Sequence, residues 1–476
     1  MKTLRRCELT SPQFFDTQWP DFFMRIFRRT IISIIAACWL AGPVVQADPD
    51  VSGLNARPTP QWIRDSVIYE IFTRNFSDEG TFNAVTARLD DLKDLGVNVL
   101  WLMPIQPIGQ VARKGAIGSP YAIRDYYAID PAYGTADDLK RLIAEAHKRG
   151  LKVVMDLVAN HTAWDSVMMA HPEYYKQDAT GKVIPPVPDW TDVAGLNYAN
   201  PALRAYMLAM MKHWIVDFDF DGFRCDVASQ IPTDFWEQAR VELEKIKPGI
   251  FMLAEASKPE LLVNAFDLDY SWPLLGTLNK VFIDGAPASD LQATWEENHR
   301  EFPRGALHMR MSDDHDEARA VAKFGIRGAL AAQVLMLTLD GVPMFYNGME
   351  VGDATESGDP ALFEKMPVFW HPKERPPLRM TYRDLIQLRE SHAAFRNTDV
   401  TWLKNSHPAN VLTYLREGGG EQFLVVINFS NRPTTVKVEV DNPAAFKPVR
   451  VCGTSEPPDF SGNLKLGSFE WRIFQR

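Results

Sequence analysis

Two kinds of hydrophobic pattern alternate along the middle of the chain, from about residue 67 to residue 395. Short apolar runs bounded by turn residues predict buried strands, and longer stretches with apolar positions three and four apart predict helices. Such alternation is typical of parallel strands joined by crossover helices. The predicted strands are residues 67–72, 97–103, 151–157, 221–227, 250–255, 265–270, 307–312 and 343–347. Eight strand–helix units predict an α/β fold, a closed (β/α)8 TIM barrel.

The helical stretches carry signals for their starts and ends. Gly96 follows leucines at helical spacing and is a typical C-terminal cap. Thr135 with Asp138 approximates a capping box, and Asn200 precedes Pro201 as a cap followed by proline in the first turn. Each barrel unit is therefore expected to be bounded by its own caps.

Two regions depart from the barrel pattern. Residues 161–192 follow the third strand, contain Gly181 and the prolines at 185, 186 and 188, and are far longer than an ordinary loop, which predicts a short inserted subdomain B. From residue 398 the pattern changes to short strands with glycine-rich turns, predicting a C-terminal antiparallel β-sandwich. The predicted C-terminal strands are residues 411–416, 422–429, 435–440, 448–452 and 469–474. The barrel then consists of residues 48–160 and 193–397.

The N-terminus predicts export. Three arginines at 25–29 precede an apolar run at 31–40 and a cleavage site of small residues at 45–47, so that residues 1–47 are interpreted as an N-terminal extension and signal peptide. The alternative of a membrane anchor would need about 20 apolar residues. A lipoprotein processing box at 35–38 is a second alternative, but the apolar stretch before it is unusually short. We expect a periplasmic or extracellular protein without an integral membrane span.

Charge and cysteine content narrow the range of partners. The formal net charge is -10 and no basic block occurs, which argues against nucleic acid as a partner. After residue 47 the cysteines are Cys225 and Cys452, so that no disulfide framework is expected. The sequence makes no prediction of oligomeric state.

Carboxylates gather where the predicted barrel strands end. Asp156, Asp226 and Glu255 end the third, fourth and fifth strands, and Asp314 and Asp316 follow the seventh. Active sites of β/α barrels lie at the C-terminal ends of the strands. Clustered carboxylates repel one another. Glycoside cleavage needs such a pair, because one carboxylate attacks or stabilises the anomeric carbon and a protonated carboxyl donates to the leaving oxygen.

Short motifs around these acids resemble the alpha-amylase family of glycoside hydrolases. The resemblance extends from about residue 62 to the C-terminus. Motifs in the right order on five strands are more specific than any single one. The matching segments are residues 156–161 (DLVANH), 222–226 (GFRCD), Glu255, residues 314–316 (DHD), 192–197 (DVAGLN), 119–121 (SPY) and 341–348 (GVPMFYNG).

The resemblance implies a role for each matched residue. Asp226 would be the nucleophile, Glu255 the general acid/base, and Asp316 the carboxylate that favours the cationic transition state. A lone histidine or an aromatic residue near a barrel loop is otherwise more often structural. The implied substrate-binding residues are Tyr121 as a stacking floor, His161 and His315 on sugar hydroxyls, and Arg224, which would point into the mouth and keep Asp226 ionised.

The implied function is that of a retaining α-glycosidase, which would hydrolyse α-1,4-glucosidic bonds in maltodextrins or related α-glucan oligosaccharides. One alternative is an α-glucan transglycosylase, in which a second sugar replaces water. The other is a catalytically silent sugar-binding protein, against which the intact Asp226, Glu255 and Asp316 argue. No cofactor is required by this chemistry.

Two details depart from the family pattern, and the match at Asn160 is incomplete. Asp314 stands where asparagine is usual and is expected to add an anion. Residues 227–230 (VASQ) lack the Lys-His pair that many amylases use for the leaving-group sugar, which disfavours ordinary endo-acting starch hydrolysis. Asn160 matches a common calcium ligand, but the short subdomain offers no further oxygen ligands for six- to eight-fold coordination. No metal-ligand set is therefore predicted, and calcium is left open.

Overall fold

The computed structural model describes residues 49–370, 378–452, 454 and 460–476 of the 476-residue chain. The predicted extension, signal peptide and cleavage site in residues 1–47 lie outside the described residues.

Eight parallel strands close into a barrel in which every strand pairs with the next and the eighth pairs with the first. Each strand lies within its predicted segment or is shifted from it by one residue, and the predicted TIM barrel is confirmed. The strands are β1 (Ile68–Ile71), β2 (Val99–Leu102), β3 (Lys152–Val158), β4 (Gly222–Asp226), β5 (Phe251–Ala254), β6 (Leu268–Tyr270), β7 (His308–Arg310) and β8 (Val342–Tyr346).

Helices surround the barrel and cover its strands. The strands are buried almost throughout, as expected for a parallel sheet covered on its outer face. The α-helices are α1 (Gln61–Arg64), α2 (Thr73–Phe76), α3 (Phe82–Thr86), α4 (Leu89–Leu95), α5 (Ala136–Lys148), α6 (Pro201–Phe218), α7 (Thr233–Glu244), α8 (Leu261–Asn264), α9 (Trp272–Asn279), α10 (Ser289–Glu301), α11 (Ala320–Thr338), α12 (Asp359–Phe363) and α13 (Leu378–Ser391). Shorter 3-10 helices are Val167–Ala170, Pro172–Tyr174, Ala228–Gln230, Met349–Val351, Ala393–Phe395 and Pro443–Ala445, and Lys280–Asp284 is a π-helical turn.

The predicted helix caps are confirmed. Gly96 ends α4 in the left-handed conformation with φ of 102°. Thr135 and Asp138 form both halves of a capping box at the start of α5. Asn200 accepts a hydrogen bond from the Ala202 backbone N–H at the start of α6. The chain therefore enters and leaves these helices where the sequence predicts.

Helix α11 is long and apolar enough to cross a membrane by length and composition alone. Most of its residues are buried inside the protein, and its side chains belong to the main hydrophobic core. The backbone leaves the helical conformation at Gly325. The apolar character of α11 is explained by its position as a core helix of the barrel.

The inserted subdomain is built on a two-stranded antiparallel ribbon. His161–Ala163 pairs with Val193–Gly195, with His161 opposite Gly195. The ribbon thus extends to Gly195, beyond the predicted boundary at residue 192, because its second strand can only be completed against the first. The ribbon carries the intervening segment over the C-terminal end of the barrel, next to β3.

The described residues of the C-terminal domain form seven strands in two sheets. The five-stranded sheet has the order β9-β10-β11-β15-β13, and β12 pairs with β14. Strands β9 and β14 were not predicted because each is short and partly exposed, and β13 is shorter than its predicted segment. The strands are β9 (Val400–Trp402), β10 (Val411–Gly418), β11 (Glu421–Asn428), β12 (Thr434–Lys437), β13 (Lys447–Pro448), β14 (Asn463–Leu466) and β15 (Trp471–Gln475).

The two faces of the five-stranded sheet contribute to different cores. One face, including Tyr414 and Val425, joins the core of the barrel. The opposite face, including Val426, packs with Val436 and Leu464 of the small sheet in a second core. The domain is therefore a β-sandwich that shares its inner face with the barrel.

Candidate active site

The two carboxyls predicted to react lie at the ends of neighbouring strands. Asp226 is the last residue of β4, and Glu255 directly follows β5. The strands pair in register as far as Cys225 and Ala254, so that Asp226 and Glu255 come next on the two strands. Neighbouring strands lie about 4.8 Å apart. The register therefore brings both carboxyl groups together at the barrel mouth.

One guanidinium group links three of the carboxyls. Arg224 Nη1 lies 2.9 Å from an Asp156 oxygen and 3.1 Å from Asp226 Oδ1, and Nη2 lies 2.9 Å from Glu255 Oε1. Its Nε donates to the Tyr270 hydroxyl at 3.0 Å. Burial disfavours the charged guanidinium, but Asp156 and Glu255 outweigh this effect and raise the pKa of Arg224. The group is a permanent cation that holds the carboxyls in place.

The surroundings of Asp226 oppose its ionisation. Burial and the neighbouring Glu255 carboxylate raise the pKa of Asp226 well above its usual value, although Arg224 acts in the opposite direction. Arg224 therefore favours the ionised form of Asp226, as the resemblance implies, but does not outweigh the other two effects on the pKa.

The residue after Asp226 has an unusual backbone. Val227 is β-branched yet adopts φ of 44°, in the left-handed region that such residues avoid. In this conformation its N–H donates to Glu255 Oε2 at 2.7 Å. Strain of this sort is often stored at functional sites. Here it orients the Glu255 carboxyl against β4.

A second buried cluster surrounds His315. Its Nδ1 hydrogen-bonds Glu70, and its Nε2 lies 2.7 Å from the Tyr121 hydroxyl and 3.1 Å from Asp316 Oδ2. Burial disfavours the imidazolium, but Asp316 and Glu70 outweigh it and raise the pKa of His315 well above its usual value. Burial also disfavours ionised Asp316, yet the charged His315 lowers the pKa of Asp316. The cluster keeps Asp316 as a carboxylate.

Two predicted substrate-binding residues are buried next to the cavity. The side chains of Arg224 and His315 are 0% and 1% exposed, and neither is among the residues that line the cavity. Their nitrogens contact protein groups, and both residues position the carboxyls and Tyr121. Their contact with sugar stays a prediction.

Above the carboxyls lies a cavity of about 510 Å³. Of the predicted residues, Tyr121, His161, Asp226, Glu255 and Asp316 line it. Its other lining residues are Lys114, Ser119, Trp190, Asp192, Val193, Val227, Ser229, Gln230, Ala256, Ser257, Trp272, Leu362 and Phe363. Mixed aromatic and polar walls of this size suit an oligosaccharide.

Tyr121 and His161 are fixed in the cavity wall. The Tyr121 hydroxyl donates to Asp156 at 3.1 Å, and its ring stacks on His315. Burial lowers the pKa of His161 to about 4, so that this imidazole is neutral near pH 7. The His161 ring meets Trp190 edge-on, with the ring centroids 5.6 Å apart. A neutral imidazole can both donate to and accept from a sugar hydroxyl.

The surroundings of Asp314 disfavour the expected anion. Its Oδ1 accepts hydrogen bonds from the backbone N–H groups of Asp316 and Glu317, at 3.0 and 3.1 Å. Burial is the main reason that the pKa of Asp314 is raised well above its usual value, and the Asp316 carboxylate adds to it. The two hydrogen bonds shape the turn that carries Asp316.

Sequence reasoning missed three residues of the site. Glu70 is fully buried in β1, and a charged residue inside a short apolar strand was the signal for it. Trp272 comes shortly after the end of β6 and stacks on Tyr270. The rule that active-site residues lie at the C-terminal ends of barrel strands could therefore have been applied to aromatic residues too. Trp190 lies in the inserted subdomain and carried no comparable signal.

The side chains around the matched Asn160 have partners within the protein. The Asn160 amide donates to Gln230 Oε1 at 3.2 Å, and Asp192 pairs with Lys114 at 3.1 Å. Within the described ranges, no group of three or more His, Cys, Asp or Glu side chains is arranged to hold a metal ion.

Comparison with known families gives two matches. Residues 46–180 and 188–407 match the alpha amylase catalytic domain. Residues 400–473 match the maltogenic amylase C-terminal domain. Together the matches cover the barrel and the sandwich.

Individual relatives agree with these matches. Alpha-amylase MalA of Haloarcula japonica is 30% identical over 83% of this chain, which spans 60% of the length of MalA. A cyclomaltodextrinase of Geobacillus thermopakistaniensis is 27% identical over 80% of this chain and 72% of its own length. The crystal structure of a noncanonic maltogenic alpha-amylase, AmyB of Thermotoga neapolitana, is 30% identical, with a TM-score of 0.76 over 87% of this chain and 97% of AmyB.

Proposed function

Because the chain belongs to the alpha-amylase family of glycoside hydrolases, we propose that it is a retaining enzyme that hydrolyses α-1,4-glucosidic bonds in maltodextrins or related α-glucans. The names of its relatives, maltogenic amylase and cyclomaltodextrinase, support an α-glucan substrate. The observation that carries the proposal is the contact of Asp226 and Glu255 with two nitrogens of the same guanidinium group. This arrangement suits the short carboxyl separation of about 5 to 5.5 Å in retaining enzymes.

In the first step the Asp226 carboxylate attacks the anomeric carbon while the Glu255 carboxyl donates its proton to the leaving glycosidic oxygen. The Asp316 carboxylate lies on the cavity wall, where its charge stabilises the oxocarbenium-like transition state. The bond to the leaving sugar breaks, and an ester forms between Asp226 and the remaining sugar.

In the second step water attacks the anomeric carbon of the ester. Glu255, now ionised, accepts the proton of that water, and Asp226 is released as a carboxylate. Two inversions at the same carbon give a product with the α configuration of the substrate.

The stereochemistry of the first product tests the proposal. We expect proton NMR of early hydrolysis of maltohexaose to show the α-anomer before mutarotation. The β-anomer would contradict the double displacement, because a single inversion requires carboxyls about 6.5 to 9.5 Å apart with water between them.

Glycosyl transfer is a second candidate for the same site. Trp272 lines the cavity beyond Glu255 and offers an aromatic face on which an acceptor sugar could stack. Sizing of the products with and without added maltose separates the two activities. Products longer than the substrate support transfer, and shorter products alone support hydrolysis.

The sequence also supports the proposal that the protein is exported. Residues 25–47 combine a basic start, an apolar run and a cleavage site of small residues. We expect N-terminal sequencing of the protein from periplasm or medium to begin near Asp48. Full-length protein confined to the cytoplasm would contradict export.

A further inference from the structure

The segment after β2, residues 109–118, is tied to loops on both sides of it. We call this segment the β2 loop. On one side the Gln110 N–H donates to the Asp165 carboxylate at 3.0 Å, and Lys114 Nζ lies 3.1 Å from Asp192 Oδ1. On the other side the Ala116 N–H donates to Glu364 Oε1 at 2.8 Å. These ties join the inserted subdomain, the β2 loop and the segment after β8 into one continuous wall.

Close packing adds to the connection with the segment after β8. The Ile117 N–H donates to the Phe363 carbonyl at 3.1 Å. Gly115 adopts φ of 64°, and a Cβ atom at this position would overlap the Phe363 side chain. The β2 loop and Phe363 therefore meet without room for another residue between them.

The wall faces the catalytic carboxyls. Lys114, Asp192 and Phe363 line the same cavity as Asp226. The Asp192 side chain is only 8% exposed, whereas that of Lys114 is 38% exposed. An ion pair in which one partner is buried is screened less by solvent than a surface pair. Lys114 thus holds the wall together at the point where it borders the cavity.

The topology of the barrel indicates which end of the substrate lies at the wall. The proton donor Glu255 lies at the end of β5, and in an eight-stranded ring the strand opposite β5 is β1. The loops after β2 and β8 flank β1. The leaving sugar lies beside the proton donor. The sugar that is transferred to Asp226, and any sugars beyond it, must therefore extend toward the wall.

We propose that the β2 loop, with Lys114 and Phe363, closes the non-reducing end of the site, so that α-glucans are cut near their non-reducing ends and not in mid-chain. This inference rests on the proposed hydrolysis and specifies which bonds are cut. On the side of Glu255, Trp272 also lines the cavity and offers an aromatic face for the rest of the chain. A cyclic glucan, which has no end, should fit the site poorly.

Two substrate pairs test the proposal. The first is a chromogenic maltoheptaoside with its non-reducing glucose either free or blocked by a 4,6-acetal, and the second is maltohexaose against cyclomaltohexaose. We expect kcat/KM to be at least about tenfold higher for the free and for the linear substrate. Equal values for the blocked and free substrates would overturn the closed end and leave the proposed hydrolysis standing. If none of the four substrates is cleaved, both the closed end and the proposed hydrolysis are overturned.

Variants of the wall provide a second test. Lys114→Ala and Glu364→Ala each remove one tie of the wall. We expect each variant to lower the ratio of kcat/KM for the free substrate to kcat/KM for the blocked substrate by about threefold or more, because kcat/KM for the blocked substrate rises. Arg113→Ala is the matched control, because Arg113 lies on the same loop and hydrogen-bonds Gln110 of that loop, with no bond to another described segment. An unchanged ratio in both wall variants, with native circular dichroism, would overturn the role of the wall.

Discussion

At the scale of single residues, the roles of Asp226 and Glu255 differ in a way that leaving groups can separate. Glu255→Gln should lose about a thousandfold in kcat/KM on maltohexaose but under about tenfold on α-glucosyl fluoride, because fluoride leaves without protonation. Asp226→Asn should lose at least about a thousandfold on both, since an amide cannot form the glycosyl ester. Steady-state kinetics on the two substrates measures this. Equal losses for Glu255→Gln would contradict its role as proton donor.

A second residue-scale prediction concerns Asp314, whose charged and titratable neighbours are His315, Asp316, Glu70 and Tyr270. Its pKa is raised in the folded protein, so the unfolded chain releases the proton first and Asp314 lowers stability as pH rises above about 4. Asparagine keeps the acceptor oxygen without titrating. Asp314→Asn should therefore raise Tm by on the order of 2 °C at pH 8 and not at pH 4. Thermal unfolding at the two pH values measures this, and a pH-independent difference would contradict it.

Single residues also show which features of the site the sequence could predict and which it could not. The rule that active-site residues lie at strand ends located the acids, because parallel strands put their C-terminal ends at one mouth of the barrel. It could not determine depth: Arg224 and Asp226 are two residues apart on β4, yet Arg224 lies a layer deeper and is covered. His315 is likewise enclosed by Glu70 of β1 and by Tyr121, which lies in the segment after β2. Contacts between distant segments decide which polar residues face the substrate.

At the scale of elements, the register of β4 against β5 determines the spacing of the carboxyls. Gly222 begins β4 opposite Phe251, and a Cβ atom at this position would overlap the Phe251 carbonyl oxygen. Gly222→Ala should therefore separate the strands, destabilise the fold by about 3 kcal/mol and lower kcat about a hundredfold. Urea unfolding and steady-state kinetics measure both effects.

The control for this change is Gly276→Ala. Gly276 lies in α9 with open space around its Cβ position, so alanine should be neutral or stabilising by up to about 1 kcal/mol. If the two variants have the same free energy of unfolding, the close approach of β4 and β5 at Gly222 does not constrain the site.

The elements themselves were largely predictable. Barrel strands are short apolar runs separated by amphipathic helices with caps, so each carries its own local signal. In the sandwich, β9 and β14 are three and four residues long and stay partly exposed. Such strands are stabilised by pairing with their neighbours and not by their own pattern. Their positions depend on the completed sheet.

At the scale of the whole molecule, the barrel and the sandwich share a buried charge cluster. Asp340 accepts hydrogen bonds from Arg310 at 2.9 Å and Trp295 at 2.7 Å. Arg416 of β10 donates to the Thr338 carbonyl at 3.1 Å. Burial opposes ionisation, but Arg310 outweighs it and lowers the pKa of Asp340. The Asp340 carboxylate thus stabilises the fold at pH values above the usual carboxyl pKa, and this stabilisation is lost as the pH falls below it.

This cluster predicts that the two domains unfold together. Asp340→Asn leaves Arg310 without its buried counter-charge and should destabilise the protein by about 3 to 5 kcal/mol. Because the core is shared, calorimetry should show one transition for the parent and one at lower temperature for the variant. A separate peak for the C-terminal domain would contradict the shared core.

The wall formed by the β2 loop has a consequence for how a polymer is consumed. If cutting begins at non-reducing ends, the rate depends on the concentration of chain ends and not on the mass of glucan. Reducing sugar should then accumulate while the viscosity of an amylose solution stays high, since long chains shorten slowly from one side. Glycogen of equal mass presents many more ends, so its outer branches should be trimmed faster. The tie between Lys114 and Asp192 would thereby favour the steady release of small sugars over the rapid thinning of starch.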